Sequence, residues 1–188
     1  MSLIGSLRRK MQVPPLRRVR RFAADERGIT AIEVGLLALP FFAIIGAILE
    51  TSLVFLASQV LDNAVQDASR LIRTGQAQSA GFNVDNFRAA VCDKLFDMFN
   101  CANLRINVTT VTDFASATVS SSPLDPNDPS KWVLPQTFSA GAGSQVEMVQ
   151  VYYKWPVILN FSGLNLATSP DGTHLMGAVR VFANEPFT

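Results

Sequence analysis

Hydrophobic residues fill one long stretch near the N-terminus. Residues 34–49 carry no charge, residues 51–61 carry none, and Glu50 alone separates the two runs. A helix of a water-soluble protein keeps a polar face, and this stretch has none. Residues 29–49 would form a helix about 31 Å long, close to the roughly 30 Å hydrocarbon thickness of a bilayer. The pattern therefore predicts a single membrane-spanning helix.

The pattern becomes amphipathic after Glu50. Apolar residues recur at helical spacing with polar residues between them, namely Val54, Ala57, Leu61, Ala64, Val65, Ala68 and Leu71. Basic residues fall in the predicted last turn, and Gly75 is placed for a left-handed C-terminal cap. We expect one helix over residues 29–74, kinked at Pro40. Its second half should pack on a domain or on other helices.

The rest of the chain mixes helical and strand patterns. After a predicted loop at residues 76–81, apolar residues at helical spacing predict a second amphipathic helix, carried by Val84, Phe87, Val91, Leu95 and Met98. Three β-rich stretches follow, at residues 104–111, 146–158 and 175–182. We expect an α+β fold, in which a long transmembrane helix precedes a small domain with a second helix and an antiparallel sheet.

Charge divides the chain more sharply than its composition does. The 188 residues are 48% hydrophobic and 16% charged, which argues against disorder and against a multidomain enzyme. Residues 1–28 sum to +6 and the remaining 160 to −5. Basic residues favour the cytoplasmic side of a membrane span. We expect a cytoplasmic basic leader (1–28), a transmembrane and extended helix (29–75) and a periplasmic α+β domain (76–188) at a bacterial inner membrane.

The two cysteines, Cys92 and Cys101, are compatible with one disulfide in an oxidising periplasm. On an unbroken helix their α-carbons would be about 13.5 Å apart, beyond the roughly 7 Å that a disulfide allows. A bridge therefore requires the second helix to end near residues 99–100 and fold back. Two separate thiols are the alternative, and a metal site is not expected without nearby histidines.

A basic leader and an apolar run also occur in secretory signal peptides, which are removed. The run here exceeds the usual length of about 7–15 residues. It begins with Glu33 and lacks a pair of small residues at cleavage-site spacing between Gly35 and Gln59. A retained helix is the better hypothesis. Glu50, at the far end of the span, is then expected at the periplasmic interface.

The segment RGITAIE at residues 27–33, behind a basic leader, resembles the class III signal of type IV pilins and pseudopilins. The resemblance implies that a prepilin peptidase cuts after Gly28, leaving Ile29 as the new N-terminus and the helix in the membrane. Glu33 would then be the recognition and assembly glutamate. The new α-amino group is cationic below a pKa of about 8, so Glu33 is its natural counter-ion, within one chain or between neighbours.

Residues 21–40, Glu50 and residues 61–70 are together similar to the TadE-like family of tight-adherence pilus assembly proteins. The segment ANEPF at residues 183–187 is also similar to that group. The resemblance implies a minor pilin or pseudopilin of a type IVc (Flp) pilus, with the prepilin peptidase, other minor pilins, the assembly machinery and membrane lipid as partners. Val34 stands where major Flp pilins carry tyrosine, which argues against the main fibre subunit.

No phosphate loop, catalytic triad or metal-ligand spacing is present in the sequence. We therefore expect no enzyme, no cofactor, no nucleic-acid partner and no small-molecule substrate. Asp125 and Asp128 lack the glycine and glutamate of a calcium loop and predict a solvated turn, and His174 is predicted at the surface. The alternative function is an unprocessed single-pass membrane protein whose periplasmic module binds a partner.

Overall fold

The computed structural model describes residues 27–119, 122–161 and 164–187, and most of the predicted leader lies outside them. The contacts group the residues into two units that divide between Ile44 and Ile45. We call residues 45–187 the head domain. In chain order the described elements are α1 (Arg27–Arg73), α2 (Gln76–Ser79), α3 (Val84–Cys92), a 3-10 helix (Cys101–Asn103), β1 (Arg105–Val111), β2 (Thr137–Phe138), β3 (Val146–Pro156), β4 (Asn160–Phe161), β5 (Leu164–Asn165) and β6 (Thr173–Ala183).

The long helix α1 covers the predicted range and ends as expected. Gly75 adopts the left-handed conformation with φ 78°, and its N–H donates to the carbonyl of Ile72. A Cβ at Gly75 would lie 2.8 Å from the ring of Phe187, so this position favours glycine for two reasons. The predicted loop at residues 76–81 is wrong in part, because residues 76–79 form the short helix α2, which buries Ala77.

The second helix, α3, is shorter than its apolar pattern indicates. It begins at a capping box in which Asn83 and Asn86 bond each other's backbone. It ends at Cys92, not near residue 99, and Phe96 and Asp97 then take positive φ angles of 50° and 56°. The apolar residues after Cys92 lie in a turn and still pack in the core. Because their spacing happens to match that of a helix, the sequence pattern predicted a longer one.

The α+β fold class is confirmed, but the sheet is mixed instead of purely antiparallel. Its order is β2-β1-β3-β6. The three long strands pair antiparallel, whereas the two-residue β2 pairs parallel with β1. The side chain of Asn107 in β1 donates to the carbonyl of Pro135 at 3.0 Å and to the hydroxyl of Thr137 at 2.9 Å. These two hydrogen bonds hold a strand that is too short to show a sequence pattern.

The second half of α1 supplies one wall of the core. The predicted stripe is buried, except that Ile72 is fully buried and Leu71 only half-buried. The buried residues of this half are Val54, Ala57, Leu61, Ala64, Val65, Ala68 and Ile72. Small alanines at three of these positions let the helix backbone approach its neighbours closely. The opposite wall comes from α3 and the sheet, with Phe87, Val91, Ile106, Val108, Val149 and Val151.

The second half of α1 runs along the sheet from one end to the other. Glu50 contacts the chain just after β3, and Asp62 forms an ion pair with Arg180 of β6 at 2.5 Å. Arg73 lies beside Glu185, just after β6. The head domain therefore has a Glu50 end, where β1 begins and β3 ends, and an Arg73 end, where β3 begins and β6 ends.

Candidate membrane and assembly surface

The first half of α1 presents its apolar side chains to the surroundings. The exposed large ones up to residue 49 are Ile32, Val34, Leu36, Leu37, Leu39, Phe41, Phe42, Ile44, Ile45, Ile48 and Leu49. Within the described residues, Thr30–Arg73 is long and apolar enough to cross a membrane by length and composition, and its most apolar window is not buried at all. A buried core helix is thereby excluded, because such a helix would be covered by the protein itself. A continuous apolar surface of this size is covered by lipid or by other helices.

The predicted processing site lies at the start of this exposed segment. Gly28 is exposed, and a Cβ built on it meets nothing within 4 Å. Gly35 is equally open. Glycine in a helix costs roughly 0.5–1 kcal/mol relative to alanine. None of the residues that the structure describes contacts this position in a way that requires glycine. The structure describes the backbone of Ile29 within α1.

Glu33 is also exposed, and none of the side chains that the structure describes pairs with it. Its carboxylate is therefore available to a group outside the described residues. Pro40 lies inside α1, which continues past it as a helix. The kink at Pro40 stays a prediction.

Glu50 is the only charged residue among the predominantly apolar residues 34–61, and the head domain buries it. The residue is 8% exposed, and its carboxylate accepts hydrogen bonds from the backbone N–H of Ile158 at 2.5 Å and of Leu159 at 3.1 Å. The side chain of Leu159 fills the space over Gly46, where a Cβ would lie 2.9 Å from its Cδ1. The sequence analysis did not find this partner. The one available signal was the charge-free run at residues 155–170.

A disulfide joins Cys92 and Cys101, with α-carbons 6.0 Å apart. It connects the end of α3 to the 3-10 helix and closes a loop at the Glu50 end. Phe99 in this loop packs edge-to-face on Tyr153 and Trp155, with ring centroids 4.9 and 5.3 Å apart. These two aromatic residues thus belong to the packing of the domain.

The segment ANEPF holds the Arg73 end together. The N–H of Glu185 donates to the carbonyl of Arg73, and the N–H of Asn184 donates to the carbonyl of Gln145, both at 2.8 Å. The Asn184 side chain donates to two further carbonyls of the loop before β3, and the Phe187 ring covers Gly75. This segment thus ties the end of α1 to the sheet, while its similarity to the family group lies outside the matched residues.

Glu147 is a second buried carboxylate, and sequence reasoning missed it. Its Oε1 accepts a hydrogen bond from the Thr110 hydroxyl at 2.9 Å, whereas Oε2 has no partner among the described atoms. Burial raises the pKa of the Glu147 carboxyl, and the Thr110 hydrogen bond opposes that effect only in part. Gly141 lies directly against this carboxylate, and a Cβ there would be 1.9 Å from Oε1.

The remaining candidates have local structural roles. The carboxylates of Asp125 and Asp128 accept hydrogen bonds within their own turn. Hydrogen bonds from Lys131 and Ser130 lower the pKa of Asp128. His174 is half-buried, and its Nδ1–H donates to the carbonyl of Leu166 at 2.7 Å. The described residues contain no group of three or more metal-binding side chains.

Comparison with known proteins finds a family match for most of α1. Residues 28–70 match the family described as TadE-like protein. No curated protein and no solved structure matches the chain. The matched segment begins at the predicted processing glycine and covers both the exposed half of α1 and most of the half that is buried in the head domain. The predicted TadE-like resemblance is therefore confirmed over residues 28–70.

Proposed function

We propose that this protein is a minor pilin or pseudopilin of a type IVc (Flp) tight-adherence pilus, acting in pilus assembly and adhesion. A prepilin peptidase cuts after Gly28, and the helix stays in the inner membrane as a single span. The N-terminal leader is cytoplasmic, and the part of the head domain that follows the span is periplasmic. TadE-like pilus proteins are structural, and we propose a structural role for this chain as well.

The observation that carries this proposal is the glycine at residue 28. Nothing inside the described chain contacts the position, so the intramolecular packing would accept a larger residue there. The family match nevertheless begins at this residue. The open space around Gly28 at the start of the matched helix supports access by an external partner, and a peptidase that cuts after glycine is such a partner.

The exposure of Glu33 supports its assembly role. After cleavage the α-amino group of Ile29 lies four residues away, on the same helix face. The carboxylate is also free of described partners, so it can pair with the α-amino group of a neighbouring subunit. Other minor pilins and the assembly machinery are the partners that this exposed helix surface fits.

The first test is the intact mass and N-terminal sequence of the protein extracted from membranes of its native host. We expect a chain that begins at Ile29. A chain that still carries the basic leader in cells that make pili would overturn the proposal. It would favour an unprocessed single-pass protein whose periplasmic module binds a partner.

A matched pair of variants tests the glycine itself. Gly28→Leu and Gly35→Leu introduce the same side chain at two exposed, open helix positions. We expect Gly28→Leu to abolish processing and pilus formation, because the peptidase requires the small residue at its cut. Gly35→Leu should be processed as the unaltered chain is. Equal processing of the two variants would contradict the assignment of Gly28.

A further inference from the structure

A short loop of the head domain lies against α1 at the level of Glu50. Residues 157–159 follow β3 directly, and two of their N–H groups bond the Glu50 carboxylate. Ile158, between them, is 82% exposed, the highest value among the large apolar side chains that the structure describes. The loop thus turns one apolar residue outward and fixes its own backbone to the helix.

The buried carboxylate of Glu50 explains how such a loop can lie in apolar surroundings, away from water. A backbone N–H in apolar surroundings requires a protein acceptor, because water is not available to it. Glu50 supplies that acceptor to both Ile158 and Leu159. An aqueous loop has no such need, since water would satisfy these groups, and burying a carboxylate for that purpose carries a desolvation cost. The arrangement is suited to an apolar environment.

The surface of α1 around Glu50 is apolar as well. Its exposed large side chains on both sides of Glu50 are Ile45, Ile48, Leu49, Leu53, Phe55 and Leu56. Further along the helix the exposed positions become polar, with Asn63, Gln66 and Asp67. The apolar surface therefore continues about two turns past the end of the predicted span and includes the level of Glu50, where the loop lies.

We propose that residues 157–159 insert into the periplasmic surface of the bilayer, with Ile158 in contact with lipid and Glu50 as the positioning residue. The proposal rests on the proposed membrane span of residues 29–49. Lipid is favoured as the occupant because the loop continues the apolar surface of a helix that crosses the bilayer. The head domain then has two attachments to the membrane, and its Glu50 end faces the lipid.

The test uses the full chain with its native disulfide, in vesicles of phosphatidylethanolamine and phosphatidylglycerol at low protein density. One added cysteine carries a bimane fluorophore, through Ile158→Cys in the loop, Leu39→Cys within the span, or Phe114→Cys near the Arg73 end. Leu39 and Phe114 are 63% and 59% exposed, so labelling should not disturb the core at either site. Quenching by brominated lipid reports contact with acyl chains, and quenching by iodide reports contact with water.

We expect the Ile158 label to shift to shorter wavelength, to be quenched by brominated lipid nearly as strongly as the Leu39 label, and to lose most iodide quenching relative to Phe114. An Ile158 label that behaves like Phe114, beside a lipid-quenched Leu39 label, would overturn the loop proposal and leave the span intact. Iodide quenching of the Leu39 label would instead contradict the span. Protection of Ile158 from both quenchers, increasing with protein density, would identify a second copy as the occupant and also overturn the proposal.

The role of Glu50 is tested in the same labelled chain. Glu50→Ala removes both acceptors, and we expect it to reduce brominated-lipid quenching at Ile158 while the Leu39 signal is unchanged. Glu50→Gln keeps one acceptor oxygen and should restore part of the quenching. Near-ultraviolet circular dichroism of the head domain verifies that the variants are folded. Unchanged lipid quenching in a folded Glu50→Ala chain would contradict the positioning role.

Discussion

The two halves of α1 are both rich in apolar residues and differ in what covers them. In the first half, up to residue 49, apolar side chains point in all directions and are exposed. Beyond residue 56 they form one stripe, which the sheet and α3 bury completely at Leu61, Val65 and Ile72. A helix can therefore change from one environment to another without a break in its backbone. The distribution of apolar residues around the axis, more than their number, indicates the environment of each half.

The largest expected effect is the loss of stability when a leucine in the covered half is truncated. A leucine in the exposed half serves as the matched control. Leu61→Ala should lower the free energy of unfolding by about 3 kcal/mol, because it leaves a cavity in a packed core. Leu37→Ala, at a side chain that is 67% exposed, should change it by less than about 0.5 kcal/mol. Urea unfolding of the full chain in detergent micelles, followed by near-ultraviolet circular dichroism, gives both values. Similar losses for the two variants would contradict the division of the helix.

Reducing the disulfide should weaken only the covered half. The bridge joins two cysteines nine positions apart and closes a loop at the end of α3, the helix that covers part of the stripe. Loop-closure entropy gives an expected loss of roughly 2–3 kcal/mol. The same unfolding experiment with and without a reducing agent measures it. Helicity of the exposed half should be unchanged in the far ultraviolet, and loss of that helicity would show that the first half depends on the head domain.

The stability of the sheet that covers the stripe should depend on pH through Glu147 of β3. Burial raises the pKa of Glu147 above its ordinary value of 4.5, so the fold favours the protonated acid. This contribution to stability is complete at a pH below the ordinary value and is lost as the pH rises through the raised pKa. Relative to Glu147→Gln, the unaltered chain should therefore become less stable as the pH rises from about 4.5 toward neutral.

Asp171 titrates in the opposite sense and serves as an internal contrast. Its hydrogen bond with Lys154 lowers the pKa of its carboxyl, so its contribution is lost as the pH falls. Both chains contain this pair, and it cancels when Glu147→Gln is compared with the unaltered chain. A difference between the two chains that does not vary with pH would contradict the raised pKa of Glu147.

The smallest effect is expected at the ion pair that marks the end of the covered half. Arg73 and Glu185 are 3.4 Å apart, and their side chains are 54% and 52% exposed. Arg73→Ala should cost about 0.5 kcal/mol or less, because water and salt screen such a pair, while the backbone hydrogen bond between the two residues remains. Thermal unfolding in low and high salt measures the difference. A much larger cost would mean that the ion pair, and not the backbone of the tail, holds the Arg73 end.

Periodicity predicted those parts of the fold whose burial repeats along the chain. It located α1, the buried stripe with Leu61 and Ala64, the left-handed Gly75 and the three long strands. It failed where a buried residue does not belong to a helix or strand. Leu95 is buried but lies in a turn, and its helical spacing led us to extend the predicted helix past Cys92. Short elements such as α2 and β2 are held by tertiary hydrogen bonds and carry no repeat of their own.

The candidate site divides in the same way. The motif at residues 27–33 is local, so Gly28 and Glu33 could be proposed from the sequence alone, and their roles stay predictions. The partners of Glu50 are 108 and 109 residues away along the chain, and no local pattern connects them. The same holds for Glu147, whose burial depends on Gly141 and Thr110 meeting in space.

The contact between Arg73 and Glu185 spans 112 residues of sequence, and the Asp62 to Arg180 contact spans 118. A fold whose first helix is completed by strands made so much later has a high contact order, and such domains fold slowly. While the chain is being translated, the stripe of α1 must wait for β6 to emerge. During that interval its leucines and valines are open to aggregation. If the exposed half of the same helix spans the membrane as proposed, it needs no such wait, since lipid would cover it from the start.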